Sequence, residues 1–260
     1  MGTEYITSIS YSTDNETWTT INNTNNKSEH LVITINVNEG DRVMWKGDAI
    51  QLGYYDEDDY DDGLGSFFSS TCEFDVQGNV MSLLCGDNFK SKITIENEYT
   101  FYRLFSDYDG VKTCEIVNAK NLSLPATELT DYCYCYMFCN CGKLTDAPEL
   151  PAIILAEGCY YGMFEYCTSL MIAPKLSAIT LANSCYSNMF YSCTSLTVVS
   201  ELPATTLTSS CYSGMFCDCT SLTTAPALPA TTLASSCYSN MFSRCTSLIT
   251  APELPATTLI

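Results

Sequence analysis

The 260-residue sequence is poor in basic residues and contains a single histidine. It has 11 Lys and Arg against 30 Asp and Glu, which gives a formal net charge of -19 at pH 7. Nucleic-acid binding depends on clustered Lys and Arg that neutralise phosphates, so this charge argues strongly against DNA or RNA as a partner. An anionic membrane surface is disfavoured for the same reason. One histidine, His30, leaves little material for histidine-based catalysis or a His-rich metal site.

The sequence also lacks the segments and motifs that mark several other protein classes. No apolar run approaches the ~18 residues that suggest a membrane span, and the first five residues have neither the basic nor the apolar region of a signal peptide. Either a signal has been removed or the protein is made without one. There is no Gly-x-Ser-x-Gly motif and no glycine-rich phosphate loop. We therefore expect no enzymatic activity, no cofactor and no membrane insertion.

What the sequence has in abundance is a repeat with a strict period of 26 residues. Met-Phe pairs begin at residues 137, 163, 189, 215 and 241, and a Cys stands four residues before and four after each of these Met. A Tyr follows the first Cys, and a Leu lies seven residues after the Met. Such a period is typical of a solenoid, in which each repeat covers the apolar face of its neighbour.

Two kinds of local structure are predicted within a repeat. In residues 235–245 the apolar side chains lie at i, i+1, i+4, i+5 and i+8, which predicts one stripe of an α-helix. Residues 246–254 are too short and β-branched for a helix, and their Pro is tolerated at a strand end. We therefore predict a helix, a turn and a short strand in each repeat.

These blocks resemble a known family. The segments Cys-Tyr-x-x-Met-Phe-x-x-Cys (237–245) and Cys-x-x-Leu-x-x-Ala-Pro-x-Leu-Pro (245–255) resemble the leucine-rich repeats of BspA-like bacterial surface proteins, which also occur in some tail or fibre proteins of gut phages. The resemblance covers about 122–260 and extends weakly back to 99. It implies an α/β leucine-rich-repeat solenoid and a role in adhesion. Ser177, in place of Pro, and Val199-Ser200, in place of Ala-Pro, depart from the pattern without removing a core position.

We predict two domains. Residues 99–260 form the solenoid, with a degenerate first repeat at 99–124 that carries a seven-residue insertion, followed by five regular repeats. The array stops in mid-repeat, which suggests either a shortened chain or a longer natural array. Residues 1–98 show short alternating segments between Asn-, Gly- and Asp-rich turns, which predict an antiparallel β-sandwich-like domain. The strands are expected at 4–12, 17–21, 31–37, 42–46, 72–76 and 79–84.

The 16 cysteines do not indicate a disulfide scaffold. On a helix the two cysteines of one repeat would be about 12 Å apart, whereas a disulfide needs roughly 4.4–6.8 Å between Cα atoms. The recurring cysteines are therefore predicted to be reduced and buried. Cys135, Cys139 and Cys217 fall on the polar side of the predicted helix and are expected to be exposed thiols. The run Cys133-x-Cys135-x3-Cys139-x-Cys141 suggests zinc, but its even spacing would direct alternate thiols to opposite faces of the helix, which disfavours a tetrahedral site. Cys72, Cys85 and Cys114 remain undecided.

An acidic run offers a weak calcium site. The candidate ligands are Asp56, Asp58, Asp59, Asp61 and Asp62. Carboxylate oxygens suit Ca²⁺, but the spacing of a known calcium loop is missing. A solvated acidic loop is the favoured interpretation, and no other metal site is predicted.

The pattern Leu-x-x-Ala-Pro-x-Leu predicts a candidate binding site. Its Leu and Ala are expected to point inward, so the residues between them should be exposed on a concave sheet. One row carries two apolar residues and a rare base where other rows carry mostly Thr and acids. Exposed apolar side chains beside a charge are typical of interaction hot spots. The predicted binding residues, in this row and the next, are Met171, Ile172, Lys175, Thr197, Val198 and Glu201.

The sequence thus predicts a non-enzymatic binding or adhesion module outside the cell, on a virion as a tail or fibre protein or on a bacterial cell surface. Its partner would be a protein or glycan receptor, and homo-oligomerisation is left open. The alternative is a structural spacer or shaft without a ligand of its own. Exposed positions that vary between repeats favour binding over a uniform shaft.

Overall fold

The regular elements of the chain are short. The computed structural model describes residues 6–24, 33–49, 52–53, 66–106 and 114–259. A four-residue α-helix α1 and a 3₁₀ helix at Gly86–Ser91 follow the first five strands. The elements are β1 (Ile6–Ser12), β2 (Thr19–Thr24), β3 (Met44–Gly47), β4 (Phe74–Asp75), β5 (Gly78–Asn79), α1 (Ser82–Cys85), β6 (Ile116–Asn118), β7 (Leu122–Ser123), β8 (Thr232–Leu233) and β9 (Thr258–Leu259).

The prediction of an α/β leucine-rich-repeat solenoid is wrong. Among the described residues the one α-helix, Ser82–Cys85, lies before the repeats, and the sheets are small and separate. The segments between the two cysteines of each repeat, which we call the Cys-to-Cys segments, contain no helix. They cover residues 133–141, 159–167, 185–193, 211–219 and 237–245.

Each Cys-to-Cys segment is a run of turns with a four-residue period. In the first one, the amide of Cys135 donates to the Tyr132 carbonyl three residues back (3.0 Å), while the neighbouring amide of Tyr134 donates to the Cys159 carbonyl in the next repeat (3.0 Å). This alternation continues along the segment, whereas an α-helix would direct its amides to the carbonyl four residues back. Every fourth residue has positive φ, which closes the turns: Tyr132 (53°), Tyr136 (55°) and Asn140 (63°).

The same alternation explains the misleading pattern in the sequence. Apolar residues at i, i+4 and i+8 return to the same side in each turn because the true period is four residues. Over only nine residues a helix of 3.6 residues per turn would also keep these positions on one face, so both backbones give the same pattern. The pattern therefore identifies the buried residues correctly but not the backbone that buries them.

Successive repeats lie one above the next, with their aromatic rings in two columns. In the tyrosine column, Tyr134 to Tyr238, ring centroids are 5.8–5.9 Å apart and the planes differ by at most 10°. In the phenylalanine column, Phe138 to Phe242, the centroids are 5.5–5.8 Å apart. These spacings lie within the range of favourable ring pairs. The recurring Met, Cys and Leu fill the core beside the columns.

The remainder of each repeat pairs with its neighbours through very short parallel contacts. The short strand predicted in each repeat is reduced to isolated bridges such as Ile172 with Val198, Ile154 with Thr180, and Thr206 with Thr232. Only β8 and β9 form a two-residue parallel pair in the last described repeats. Two ladders of bridges therefore run along the stack, one through Ile172 and one through Ile154.

The predicted antiparallel β-sandwich is also wrong. The described N-terminal residues form one three-stranded antiparallel sheet with the order β2-β1-β3. The later segments do not add a second sheet to this one. Instead, β4 pairs in parallel with β6, and β5 pairs in parallel with β7, both in the repeat region. Part of the strand predicted at 79–84 is α1, and residues 33–37 form no strand. These parallel pairings cross the boundary that the sequence placed at residue 98.

The first, degenerate repeat continues both aromatic columns. Phe101 stacks on Tyr134 at 5.6 Å and Phe105 on Phe138 at 5.2 Å. Each pair is 33 residues apart, which equals the 26-residue period plus the seven-residue insertion.

The N-terminal sheet closes this end of the stack. Phe68 contacts Phe105 at 6.1 Å, and Trp45 of β3 meets Phe68 edge-on at 4.8 Å. The amide of Phe68 donates to the Leu104 carbonyl (2.9 Å). A single hydrophobic core therefore runs from Ala49 to Cys245.

Candidate binding surface

The predicted binding residues all lie at the surface. Leu170 and Ala173 are buried, whereas the two side chains between them, Met171 and Ile172, are exposed. The exposed fractions of Met171, Ile172 and Val198 are 56%, 61% and 53%. Lys175, Thr197 and Glu201 are also exposed.

The backbone holds the two predicted rows side by side. The amides of Thr197 and Val198 both donate to the Met171 carbonyl, at 3.0 and 3.2 Å, and the amide of Ala173 donates to the Val198 carbonyl at 2.9 Å. The Thr197 hydroxyl reaches the same Met171 carbonyl at 3.3 Å. Because this contact is an isolated bridge, the concave sheet expected around it does not form. We call the exposed surface of Met171, Ile172 and Val198 the apolar patch.

The two charged residues predicted beside the apolar patch have open surroundings. Lys175 and Glu201 are exposed, and neither forms an ion pair with another residue in the described part of the chain. An ammonium and a carboxylate in water beside apolar carbon provide one donor and one acceptor for a ligand. Lys175 follows Ile172 by three residues and Glu201 follows Val198 by three, so each row offers a ligand both apolar surface and a charged group.

Sequence reasoning missed a second apolar group. Ile153, Ile154 and Ile179 lie along the other ladder of bridges and are 55%, 53% and 68% exposed. They occupy the two positions between Ala and Leu of Leu-Pro-Ala-x-x-Leu, where the later repeats have Thr-Thr. Isoleucine in place of the usual Thr at these positions was the feature of the sequence that could have predicted this exposed apolar group.

The extra cysteines are not exposed thiols, so that prediction is wrong. Cys135, Cys139 and Cys217 are only 3%, 5% and 5% exposed. In a turn with a four-residue period these positions lie between neighbouring repeats instead of on an outward helix face. Burial raises the pKa of the Cys139 thiol to about 12, which suppresses the reactive thiolate near neutral pH.

The recurring cysteines are buried, as predicted, and from Cys167 onward the second one of each repeat donates a hydrogen bond. The thiol of Cys167 donates to the Phe138 carbonyl of the preceding repeat at 3.2 Å. Equivalent bonds of 3.0–3.1 Å are made by Cys193, Cys219 and Cys245. Burial raises the pKa of the first cysteine, Cys133, to about 12. The thiols of Cys167, Cys193, Cys219 and Cys245 therefore act as structural donors in the core.

One recurring cysteine is oxidised, which corrects the prediction that all of them are reduced. Cys141 forms a disulfide with Cys114, with 4.5 Å between their Cα atoms. The expected distance between the two cysteines of one helical repeat did not apply, because Cys114 belongs to the degenerate repeat and Cys141 to the next one. The bond ties the first repeat to the second.

A carboxyl group lies partly buried on the turn side of the stack. The Oε2 atom of Glu165 is buried and has no hydrogen-bond partner among the described residues. Burial raises the pKa of Glu165 to about 7, and the positive charge of Arg103 opposes this shift. The Arg103 guanidinium lies over the Tyr136 ring at 4.7 Å. Glu165 can therefore change its charge near neutral pH.

Several candidate groups cannot be placed. The candidate calcium ligands Asp56, Asp58, Asp59, Asp61 and Asp62 lie outside the described residues, as does His30. In the described ranges, no group of three or more His, Cys, Asp and Glu side chains is arranged to hold a metal ion. No helix in the same ranges has the length and apolar character to cross a membrane.

Comparisons with known proteins add no relative: no protein-family model, curated protein or solved structure matches the chain. The resemblance to BspA-like proteins therefore remains a prediction from the repeat blocks.

Proposed function

We propose that the protein is a non-enzymatic binding or adhesion module displayed outside the cell, on a virion as a tail or fibre protein or on a bacterial surface. The carrying observation is the apolar patch, in which Met171, Ile172 and Val198 are each more than half exposed on adjacent rows of a stacked array. Exposed apolar side chains grouped in this way are characteristic of interaction sites.

The interior of the stack supports this proposal. The recurring side chains are buried and make the same ring and hydrogen-bond contacts in each repeat. Substitutions at exposed positions leave those contacts in place. Such a frame can carry different surface residues at fixed positions, which is how repeat proteins form binding surfaces. The repeat blocks that resemble those of BspA-like surface proteins favour the same class of function.

The proposed partner is a protein or glycan receptor on a cell surface. A net charge of -19 opposes binding to polyanions such as nucleic acid. Burial of the patch against a receptor would remove apolar surface from water, and Lys175 and Glu201 would set the orientation at its edge.

A structural spacer is the second candidate, and one observation favours it. The outward pairs on the second ladder become uniform along the stack, with Thr205-Thr206, Thr231-Thr232 and Thr257-Thr258 in equivalent positions. A shaft needs only a uniform surface of this kind. The two candidates therefore predict different behaviour for the apolar patch.

The test gives the patch row the residue types common in the other rows, Thr and Glu, by the triple change Met171→Thr, Ile172→Thr and Lys175→Glu. Wild-type and variant proteins are labelled and applied to a panel of fixed bacterial and animal cells and to a glycan array. We expect the wild type to bind a subset of cells or glycans and the variant to lose at least about tenfold in affinity, because central hot-spot residues dominate binding.

A matched control separates a specific patch from general stickiness. The double variant Ile153→Thr and Ile154→Thr removes a similar exposed apolar area on the other ladder and should retain binding. Circular dichroism and thermal melting of both variants should match the wild type. If the wild type binds nothing in either panel, the spacer role is favoured; if the triple variant binds normally, the patch is not the receptor site.

A further inference from the structure

A hollow of about 420 Å³ lies on the side of the stack that the turns form, across three successive Cys-to-Cys segments. We call it the side hollow. Each segment contributes a positive-φ residue and the residue three positions later: Asn188 with Tyr191, Gly214 with Cys217, and Asn240 with Ser243. Gly214 and Cys217 of the middle segment are buried and form the base, whereas the other four are half-buried or exposed. The hollow is therefore open to water between two walls.

Hydrogen bonds fix the backbone around the side hollow. In each of the three turns the amide of the later residue donates to the carbonyl of the positive-φ residue at 3.0 Å. The Asn188 amide donates to the Ser213 carbonyl in the next segment at 2.8 Å. The Gly214 amide donates in the same way to the Ser239 carbonyl at 2.7 Å. A ligand would therefore meet a frame that is already ordered, which lowers the entropic cost of binding.

The equivalent place in an earlier repeat is filled by side chains. A Cβ on Gly162, the glycine that corresponds to Gly214, would lie 2.4 Å from the Tyr136 ring and 2.9 Å from Glu165 Oε2. The ring of Tyr161 meets the Tyr136 ring at 5.4 Å. Three large side chains therefore occupy the surroundings of this glycine.

Small residues leave the space around Gly214 open. Ser213 and Cys217 stand where the earlier repeat has the Tyr and the Glu just described. Apart from its chain neighbours, Gly214 has one described side chain within 4 Å of the place of a Cβ, that of Asn188, whose Oδ1 is 2.1 Å away. The side hollow thus results from the loss of two large side chains in the middle segment.

The walls of the side hollow carry polar groups that are held in place. The Asn188 amide donates through Nδ2 to the Tyr161 hydroxyl at 3.0 Å, which fixes the plane of the amide. Arg244 lines the hollow and forms an ion pair with Asp218, with 3.0 Å between Nε and Oδ1. The Cys217 thiol donates to Asp218 Oδ2 at 3.7 Å. Amide, guanidinium and carboxylate together provide both donors and acceptors.

One aromatic ring completes the lining. Tyr191 is half-buried, and its ring meets the Tyr166 ring at 5.6 Å in an edge-to-face contact. Apolar carbon therefore lies in the same hollow as the polar groups of Asn188 and Arg244. An apolar surface with a few convergent polar groups, in a space of this volume, is the usual composition of a small-ligand site.

We propose that the side hollow binds a neutral hexose unit of a glycan. Each hydroxyl of a pyranose both donates and accepts, which matches closely spaced amide, guanidinium and carboxylate groups, and the C–H face of the sugar matches the tyrosine ring. The ion pair gives the lining no net charge, and the chain carries -19 overall, so an acidic sugar would be repelled. A peptide is disfavoured because peptide grooves use several apolar pockets.

The side hollow is separate from the apolar patch, and this inference does not depend on the proposed receptor binding. The test records amide resonances of the isotopically labelled full chain while the methyl glycosides of glucose, galactose and mannose are added one at a time. We expect at least one to shift the amides of Gly214, Cys217 and Ser243, with a Kd of about 1 mM, as suits so small a ligand. The amides of Met171 and Val198 should not shift.

Two variants change the side hollow in different ways. Ser213→Tyr introduces the residue found at the equivalent position of an earlier repeat, fills the space and should abolish the shifts. Arg244→Ser leaves the space open and should weaken binding at least about tenfold, because hydrogen bonds from a charged group are lost. It therefore tests the site even where Ser213→Tyr perturbs the stack.

A matched control adds the same ring elsewhere in the same repeat. Thr205 is exposed and does not line the hollow, so Thr205→Tyr should retain the shifts. The triple variant of the apolar patch should retain them as well, which separates this site from the proposed receptor site. Thermal melting of the control should stay within about 2 °C of the wild type.

Three outcomes overturn the proposal. One is the absence of shifts at the three amides with all of the methyl glycosides. Another is a stronger response to methyl glucuronide than to any of them, since the hollow would then select an acidic sugar. The third is persistence of the shifts in both Ser213→Tyr and Arg244→Ser, which would show that the sugar binds elsewhere.

Discussion

The replacement Met189→Asp tests whether the recurring Met is the centre of the stack. Met189 is 0% exposed and lies in the middle Cys-to-Cys segment, with regular repeats on both sides. Truncation of a buried Met removes about 2–5 kcal/mol, and an unpaired carboxyl in the same space adds the cost of its desolvation. We therefore expect a loss of about 4 kcal/mol or more in the free energy of unfolding.

The measurement is thermal and urea unfolding followed by circular dichroism. For a chain of this size each kcal/mol lowers the melting temperature by about 2–4 °C, so the shift should be about 10 °C or more. Two variants serve as controls. Asn183→Asp adds the same charge at an exposed position and should melt within about 2 °C of the wild type. Met189→Leu preserves most of the volume and should cost less than about 1.5 kcal/mol.

The pH dependence of the same variant gives an independent check. Burial raises the pKa of a carboxyl above its unfolded value of about 3.9. The loss of folding stability caused by Met189→Asp should therefore be smallest below pH 4, where the carboxyl is neutral in both states. It should grow as the pH rises, because the unfolded chain can ionise this carboxyl more easily than the folded protein. A melting curve like that of the wild type at pH 7 would refute the assignment of Met189 to the core.

Two further predictions concern the thiols and the buried carboxyl. In the native protein a thiol reagent should react rapidly with the exposed Cys72. Because Cys114 and Cys141 are joined, unfolding without reductant should give 14 reactive thiols and unfolding with reductant 16. Full reaction before unfolding would contradict the burial of the other cysteines. The variant Glu165→Gln should be more stable than the wild type above pH 7. The pKa of Glu165 is about 7 in the folded protein and about 4.3 in the unfolded chain, so the wild type loses folding stability as the pH rises through this interval, whereas the variant does not. The difference should shrink toward pH 5, and an equal difference at both pH values in thermal melting would show that Glu165 does not titrate in this way.

The period, the buried positions and the apolar patch could be predicted from the sequence. The spacing of Met and Cys identified core residues, and inward Leu170 and Ala173 implied the exposure of Met171 and Ile172. These inferences depend only on which residues avoid water. They hold for any backbone that brings the same positions inside.

The backbone itself could not be predicted in this way. Within the nine residues of a Cys-to-Cys segment, periods of 4 and 3.6 place the apolar residues similarly. The distinguishing signal was present at Gly158, Gly162 and Gly214, which recur at the positive-φ positions of the turns and suit them because glycine has no Cβ. Asn188 and Asn240 occupy equivalent positions for a related reason, since Asn tolerates this region better than most residues.

Long-range pairing was the other part that the sequence did not reveal. Alternation in residues 72–76 indicated a strand but not its partner, and the strand pairs in parallel with β6 instead of completing a sandwich. The disulfide between Cys114 and Cys141 likewise depends on how the degenerate repeat lies against the next one. Local patterns carry no information on such contacts.

The one-way direction of the hydrogen bonds between repeats has a consequence for synthesis of the protein. In the Cys-to-Cys segments, the amides of each repeat donate to carbonyls of the repeat that follows it in the chain, as Tyr160 does to Cys185 and Tyr186 to Cys211. The ribosome releases the N-terminal sheet first, then one 26-residue repeat about every 1–5 s. Each emerging repeat therefore meets a folded neighbour whose donors are already aligned, so the nascent chain can fold by successive addition, with the capped N-terminal end setting the register.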